Sequence, residues 1–136
     1  MIKLIVGKKG SGKTKQLIEM VNEAARENAG SILCLEYGNS LTFDVHYGAR
    51  LINYDEYPLK GYNALLGFLY GCYAQNYDLN HVFIDNLRKI SQEDSFEEMA
   101  DFLTLLEEKS ENLKIDFTIT VSADASELPE RIQKYI

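Results

Sequence analysis

The chain contains no tryptophan and only two cysteines, two histidines and two prolines among its 136 residues. Cys34 and Cys72 have no partner at the spacing of a metal or redox motif, so we expect both to be reduced thiols in the core. His46 and His81 are isolated and form no cluster of metal ligands. No stretch of about 18 apolar residues is present. These absences argue against a disulfide framework, a Cys/His metal site and a membrane-spanning helix.

The composition indicates a single folded domain over residues 1–136. Hydrophobic residues make up 46 % of the chain, with nine Tyr and six Phe, which is enough for a packed core. The first residues lead straight into a strand pattern and show no signal-peptide cleavage site. We therefore expect a cytoplasmic protein with no membrane partner.

The charge is unevenly placed along the chain, whose net charge is −7. Residues 91–112 carry eight acidic side chains and one Lys, whereas the first fifteen residues carry five Lys and no acid. The acidic run is most simply the solvated face of a helix. The basic start predicts a site for a small anionic ligand. It argues against an extended nucleic-acid-binding face, which needs clustered Lys and Arg over a large patch.

A phosphate-binding pattern occupies residues 7–14, which read Gly-Lys-Lys-Gly-Ser-Gly-Lys-Thr and match G-x-x-x-x-G-K-T. Glycines allow successive N–H groups to point into one hollow, and the helix that follows adds its positive N-terminus. We expect Lys13 to reach the β- and γ-phosphates of a nucleotide and Thr14 to bind Mg²⁺ through its hydroxyl. The predicted nucleotide-binding residues are Gly7, Lys8, Lys9, Gly10, Ser11, Gly12, Lys13, Thr14 and Lys15.

Short apolar segments alternate with helical patterns, which predicts an α/β three-layer sandwich with a mostly parallel, five-stranded sheet. The predicted strands cover 2–6, 31–36, 49–54, 82–84 and 117–121. The predicted helices cover 13–28, 60–77, 95–109 and 127–135, and Ser95 with Glu98 forms a capping box. The pattern over 39–48 fits either a short helix or a loop. In such sheets ligands bind at the carboxyl ends of the strands, so the site is expected there.

The second half of the site is predicted at Asp85, which ends the apolar strand 82–84. This run resembles the Walker B pattern of P-loop NTPases, in which the acid holds the nucleotide's Mg²⁺. The chain therefore resembles the P-loop NTPase superfamily over residues 1–122. Within it, the chain is similar to the additional-strand class and to a minimal RecA-like ATP-binding core. The resemblance implies a P-loop NTPase fold with ATP and Mg²⁺ as cofactors, and places Thr120 and Ser122 where that class keeps a polar γ-phosphate sensor.

The resemblance also implies a catalytic role for Lys13 and Glu36. In RecA-like ATPases a catalytic Glu ends the strand after the P-loop helix, and Glu36 stands in that position, 23 residues after Lys13. Many relatives carry Glu directly after the Walker B Asp, where this chain has Asn86. Because an amide cannot accept a proton as a carboxylate does, hydrolysis must depend on Glu36 or be slow. Arg88 and Arg131 are candidate arginine fingers.

Three functions fit these residues. The first is a slow or partner-activated Mg-ATPase. The second is a non-catalytic nucleotide-binding switch that serves an unidentified protein partner or works in a homo-oligomer. The third is a small-molecule or nucleotide kinase, which is disfavoured because no Arg-rich lid is present and only residues 38–58 could hold an acceptor site. No guanine-reading Asn-Lys-x-Asp motif occurs, so ATP is the expected nucleotide.

Overall fold

The sheet of the computed structural model, which describes residues 1–27 and 29–136, has the strand order β1-β5-β4-β2-β3 with every pair parallel. The strands are β1 (Ile2–Gly7), β2 (Ser31–Glu36), β3 (Ala49–Asn53), β4 (Leu79–Ile84) and β5 (Asp116–Ser122). The helices are α1 (Lys13–Glu27), α2 (Tyr62–Gln75), α3 (Leu87–Ser91), α4 (Phe96–Leu113) and α5 (Glu130–Gln133). Short 3₁₀ turns cover Tyr54–Glu56 and Ala125–Glu127. The predicted α/β class and five-stranded parallel sheet are confirmed.

Two hydrophobic cores lie on opposite faces of the sheet, as a three-layer sandwich requires. On one face, Leu17 of α1 packs with Phe83 of β4. On the other face, Leu65 of α2 and Leu103 of α4 pack with Ile84 of β4. All five side chains are fully buried, and each such burial contributes about 1.5–3 kcal/mol. The alternation of Phe83 and Ile84 between the faces follows from the strand's two-residue period.

The predicted boundaries differ from the observed ones at the start of one strand and at helix ends. Strand β4 begins at Leu79, three residues before the predicted start at 82. Helix α4 begins where predicted, with the Ser95 hydroxyl accepting from the Glu98 N–H at 3.2 Å, but it runs on to Leu113. It ends there because Lys114 adopts a left-handed φ of 57°. The prediction of helix over 13–28 is confirmed through Glu27, and residue 28 lies outside the described residues.

The predicted tail helix over 127–135 is wrong in extent, because only Glu130–Gln133 is helical. Pro129 occupies the N-cap of this helix, and its fixed φ and missing N–H suit a helix start rather than an interior position. The preceding segment Ala125–Glu127 forms a separate 3₁₀ turn, which the Asp124 side chain caps at its N-terminus. Helix α3 was not predicted, since its five residues are too few to show helical periodicity.

Residues 39–48, for which the sequence allowed either a short helix or a loop, form a series of turns between β2 and β3. Leu41 is buried at 4 % exposure and anchors the segment. Asn22 of α1 holds it further along: its amide donates to the Asp44 carbonyl at 2.9 Å and accepts from the His46 N–H at 2.7 Å. This crossover (residues 37–48) therefore lies against α1, and its Val45 packs on the core of this face.

Candidate functional site

The glycine loop (residues 7–14) curls tightly between β1 and α1. Gly10 and Gly12 have φ angles of 84° and 89°, in the left-handed region where side chains are strained. A Cβ on Gly7 would lie 2.5 Å from the Ser11 hydroxyl oxygen, so a side chain at this position would require the Ser11 hydroxyl to move. A Cβ on Gly10 or Gly12 would meet no atom within 4 Å, which means that the space beside both residues is open. The loop is therefore a tight turn in which Gly10 and Gly12 border open space.

Lys13 reaches back over this loop from the first position of α1. Its side chain is 9 % exposed, and its ammonium donates to the Lys8 carbonyl oxygen at 2.9 Å. The first turn of α1 contains no acidic residue, so the positive end of the helix dipole is not neutralised from within the turn. Lys9 and Lys15 are exposed beside the loop. The glycine loop and the first turn of α1 therefore carry several positive charges and no acidic residue.

Thr14 and Asp85 meet at the carboxyl ends of the strands. The Thr14 hydroxyl donates to Asp85 at 3.2 Å to Oδ1 and 3.4 Å to Oδ2. Strand β5 lies between β1, which leads into the glycine loop, and β4, which ends before Asp85. Thr120 of β5 donates to Asp85 Oδ1 at 3.0 Å. The Thr120 hydroxyl also accepts from the Asn86 N–H at 2.7 Å. The structure therefore brings together three of the residues predicted for the site.

Asp85 carries an incompletely compensated charge. Burial raises the pKa of its carboxyl group, and the nearby Glu36 carboxylate raises it further. The hydrogen bonds from Thr120 and Thr14 and the charge of Lys13 act in the opposite direction. The described residues contain no group of three or more His, Cys, Asp or Glu side chains that could hold a metal by themselves. A Mg²⁺ ion that arrives with a nucleotide needs only one or two carboxylates beside phosphate and water oxygens, so Thr14 with Asp85 fits that ion.

Glu36 is buried at the end of β2, with 4 % of its surface exposed. Its carboxylate accepts from the Ser40 N–H at 2.9 Å, from the Leu41 N–H at 3.2 Å and from the Ser40 hydroxyl. Both carboxylate oxygens are thus bonded to the first turn of the crossover. The catalytic role implied for Glu36 stays a prediction, and in this conformation the side chain anchors residues 40–41.

Asn86 directly follows Asp85 and begins helix α3. Its φ of 66° is left-handed, and its side-chain oxygen accepts from the Lys89 N–H at 3.3 Å. Asn is among the few residues that tolerate this conformation and also cap helices. The presence of Asn at position 86 is therefore explained by the local backbone and by its role as a helix cap. An Asn in the N-cap position is also the sequence signal that could have indicated α3.

The two candidate arginine fingers are engaged within the chain. Arg88 donates to the Ser122 carbonyl at 2.9 Å and to Asp94 at 3.2 Å, and its guanidinium lies 5.0 Å from the ring centre of Phe96. Ser122 thus contributes its carbonyl, at the end of β5, to the placement of Arg88. Arg131 pairs with Asp101 at 2.6 Å and with Glu97 at 3.4 Å, so it links α5 to α4.

Further polar residues lie at the ends of β2 and β3, and among them the sequence did not single out Asn53, Tyr37 or Lys89. The Asn53 side chain accepts from the Gly38 N–H at 2.8 Å and from the Asp55 N–H at 3.0 Å. The Lys89 ammonium lies 5.8 Å from the ring centre of Tyr37, whose pKa is raised chiefly by a hydrogen bond to Asp55. No sequence motif marks these positions, because the contacts join separate strands and α3.

Neither a scan against models of known protein families nor a search of curated proteins finds a match to this chain. No helix in the described part of the chain is long and apolar enough to cross a membrane. The structure itself shows an α/β fold with a five-stranded parallel sheet, and it places a cluster of polar side chains at the carboxyl ends of the strands.

Proposed function

We propose that the chain binds a nucleoside triphosphate with Mg²⁺, with ATP as the expected nucleotide, and that it is a P-loop NTPase with a minimal RecA-like core. The phosphates would lie in the glycine loop, against its main-chain N–H groups and the N-terminus of α1. Thr14 and Asp85 would hold the Mg²⁺ of the nucleotide, which would neutralise charge on the phosphates. The protein is then a slow or partner-activated ATPase.

The observation that carries this proposal is the contact between Thr14 and Asp85. The two residues are 71 positions apart, and their oxygens lie 3.2 Å from each other at the mouth of the glycine loop. A hydroxyl and a carboxylate at this separation can bind one Mg²⁺ in place of their mutual hydrogen bond. The order of strands supports the additional-strand class, because β5 separates β1 from β4.

The groups of the site would act in distinct ways. Lys13 would exchange its bond to the Lys8 carbonyl for one to phosphate oxygens, where a charge-assisted hydrogen bond is stronger. Thr120 would keep Asp85 oriented toward the metal through its 3.0 Å hydrogen bond. Mg²⁺, when bound, supplies charge neutralisation on the phosphates. Slow turnover is expected, because Asn86 offers no base and the Glu36 carboxylate is bonded to residues 40–41.

The bonding of Glu36 also favours a second candidate, the nucleotide-dependent switch. The negative charge of Glu36 raises the pKa of Asp85. The same carboxylate accepts hydrogen bonds from Ser40 and Leu41 and so holds the start of the crossover. A nucleotide that drew Glu36 toward an attacking water would release residues 40–41. Binding would then change the crossover without the need for rapid hydrolysis.

A nucleotide panel with a turnover assay tests the proposal. Affinities for ATP, ADP and GTP are measured by fluorescence competition with and without Mg²⁺, and phosphate release is followed with and without candidate acceptors. Tighter binding of Mg-ATP than of ADP with slow release supports the ATPase, and binding with no release supports the switch. Transfer that requires an acceptor indicates a kinase. Equal affinity with and without Mg²⁺ would contradict the role given to Thr14 and Asp85.

A further inference from the structure

The peptide unit between Ser122 and Ala123 is hydrogen-bonded on both of its sides. Its carbonyl oxygen accepts from Arg88 Nη1 at 2.9 Å, and its N–H donates to the Gly7 carbonyl oxygen at 3.1 Å. The carbonyl and the N–H of a trans peptide point in opposite directions. Arg88, which lies on α3, is therefore joined through a single peptide unit at the end of β5 to the first residue of the glycine loop.

This connection acts on the first peptide of the glycine loop. Gly7 is the last residue of β1 and stands level with Ser122 in the parallel pairing of β1 with β5. The bond from Ala123 fixes the direction of the Gly7 carbonyl. It also fixes the direction of the Lys8 N–H, which belongs to the same planar peptide unit. The main-chain N–H groups of this loop are the groups that we propose face the phosphates.

The positive charge of Arg88 strengthens both of these hydrogen bonds. A bond from an ionised donor is about twice as strong as a bond between neutral groups. A donor at the carbonyl also polarises the amide, and this polarisation strengthens the hydrogen bond that the same amide donates. The Arg88 side chain is 30 % exposed, so solvent screens its charge only in part. Removal of the guanidinium should therefore weaken the bond from Ala123 to Gly7.

A second contact joins the same two segments. The Lys8 ammonium lies 3.6 Å from the Asp124 carboxylate, with 77 % of the Lys8 side chain and 40 % of the Asp124 side chain exposed. Ion pairs between exposed groups contribute little to stability. Ala123, in contrast, is 6 % exposed, so its hydrogen bond to Gly7 is shielded from water. The main-chain bond is therefore the stronger of the two links.

Arg88 is itself held in place by two groups from the segment between α3 and α4. Its Nη2 donates to Asp94 at 3.2 Å, and its guanidinium lies 5.0 Å from the ring centre of Phe96. Both terminal nitrogens are thus engaged, so the side chain would have to break these bonds before it could contact a phosphate. This geometry favours a positioning role over that of an arginine finger.

We propose that Arg88 is a positioning residue of the triphosphate site, which holds the Ser122–Ala123 peptide and through it the Gly7–Lys8 peptide. The inference rests on the proposed function, because it concerns how the glycine loop is kept in place for phosphate. Arg88 acts on the glycine loop and not on the metal. Its contribution to nucleotide affinity should therefore be the same with and without Mg²⁺.

Amide hydrogen exchange of the ligand-free chain tests this role without any nucleotide. Arg88→Met removes the donor and keeps an apolar side chain beside Phe96. In this variant the Ala123 N–H should exchange about tenfold faster, since hydrogen bonds from charged groups are among the stronger ones. The exchange of the Phe83 N–H, in the core strand β4, is followed in the same samples. An equal rise at Phe83 would indicate a global loss of stability and would overturn the proposal.

A control variant on α3 separates the contact with Ser122 from the stability of that helix. Gln92 caps the C-terminus of α3, and its side-chain amide donates to a different main-chain carbonyl, that of Leu59, at 3.0 Å. Gln92→Met removes this donor and should leave the exchange of Ala123 unchanged. An equal effect of Gln92→Met and Arg88→Met on Ala123 would contradict the specific role of Arg88.

Nucleotide affinity is measured for the same variants by competition with a fluorescent ATP analogue. Arg88→Met should raise the dissociation constant of ATP about tenfold both with and without Mg²⁺, and Gln92→Met should not change it. Arg88→Lys keeps the charge and one donor group. Its exchange rate and its affinity should lie between those of the unchanged chain and those of Arg88→Met, and this variant tests the proposal if Arg88→Met does not fold.

The outcomes distinguish this inference from the proposed function. Unchanged exchange of Ala123 in Arg88→Met would overturn the positioning role, and a loss of turnover alone would identify Arg88 as an arginine finger. Faster exchange with unaltered affinity would make Arg88 a purely structural contact. A dissociation constant that rises only with Mg²⁺ would place its effect on the metal. If the unchanged chain binds no nucleotide, the proposed function fails, and the exchange of Ala123 still decides whether Arg88 holds the glycine loop.

Discussion

The Thr120 hydroxyl donates a hydrogen bond to Asp85 Oδ1 at 3.0 Å while it accepts one from the Asn86 N–H at 2.7 Å. The Thr120 hydroxyl therefore holds both the Asp85 carboxylate, at the end of β4, and the backbone of Asn86, where the chain leaves the strand. Thr120 is 1 % exposed, so water cannot easily replace it. The position of the predicted metal-binding acid is set from the neighbouring strand.

Thr120→Val removes this hydroxyl at almost unchanged volume. Loss of a group that orients a metal ligand costs about 10–100-fold in metal affinity, so we expect the Mg²⁺-dependent part of nucleotide affinity to fall by that factor. Calorimetric titration at several Mg²⁺ concentrations measures it. The matched control is Thr118→Val on the same strand, whose hydroxyl instead lies 2.9 Å from His81 Nε2. If both variants weaken Mg²⁺ dependence equally, the effect is general to β5 and Thr120 has no orienting role.

Asp85→Asn should raise the melting temperature of the ligand-free protein by a few degrees at neutral pH. Burial raises the pKa of Asp85 above its ordinary value of 3.8, so the folded protein binds this proton more tightly than the unfolded chain does. The contribution of this group to stability is therefore greatest below pH 3.8 and falls as pH rises through the raised pKa. The free energy of unfolding is measured in urea from pH 3 to pH 7, roughly the range in which carboxylates titrate. In the variant, this free energy should no longer show the decrease with rising pH that Asp85 causes. An unchanged pH dependence would show that the Asp85 charge is already compensated.

Lys13→Ala should weaken triphosphate binding by about ten- to a hundredfold, because charge-assisted hydrogen bonds contribute about 1.5–3 kcal/mol each. Competition with a fluorescent nucleotide measures the change. Lys60→Ala is the control, since it removes an equal charge from an exposed position outside the glycine loop. A loss that is the same for both variants would indicate general electrostatic attraction and no direct contact from Lys13.

Glu36→Gln should leave nucleotide binding intact and lower any hydrolysis. Ser40→Ala provides the opposing test, because it removes one of the groups that hold the Glu36 carboxylate. If Glu36 orients the attacking water once it is free, Ser40→Ala should raise phosphate release. If neither variant alters turnover while both lower the melting temperature, Glu36 serves only to anchor the crossover.

Gly12→Ala should impair the glycine loop for conformational reasons, since its φ of 89° is unfavourable for any side chain. We expect a loss of about 1 kcal/mol in stability together with weaker phosphate binding. Gly67→Ala is the matched control within α2, where a Cβ would meet no atom within 4 Å. This change should stabilise the protein by about 0.5–1 kcal/mol without altering binding, and thermal denaturation with and without nucleotide compares the two. A neutral result for Gly12→Ala would mean that the loop relaxes to another conformation.

The sequence predicts best those parts of the fold that depend on the pattern of neighbouring residues. The apolar run before Gly7 and the period of α1 placed the glycine loop between a strand and a helix, and Asp85 followed from the end of a buried strand. The bonds of Glu36 to residues 40–41 could not be predicted, because irregular turns have no periodic signal. The contact of Thr120 with Asp85 likewise depends on the order of strands in the sheet, which the spacing of segments does not determine.

The most direct test of the central claim is a titration of well-folded protein with a non-hydrolysable Mg-ATP analogue, followed by heat and by melting temperature. Saturable heat with one ligand per chain, a higher melting temperature and a loss of both effects on removal of Mg²⁺ are the predicted results. Absence of heat and of any thermal shift at saturating ligand would contradict the assignment of the glycine loop as a triphosphate site.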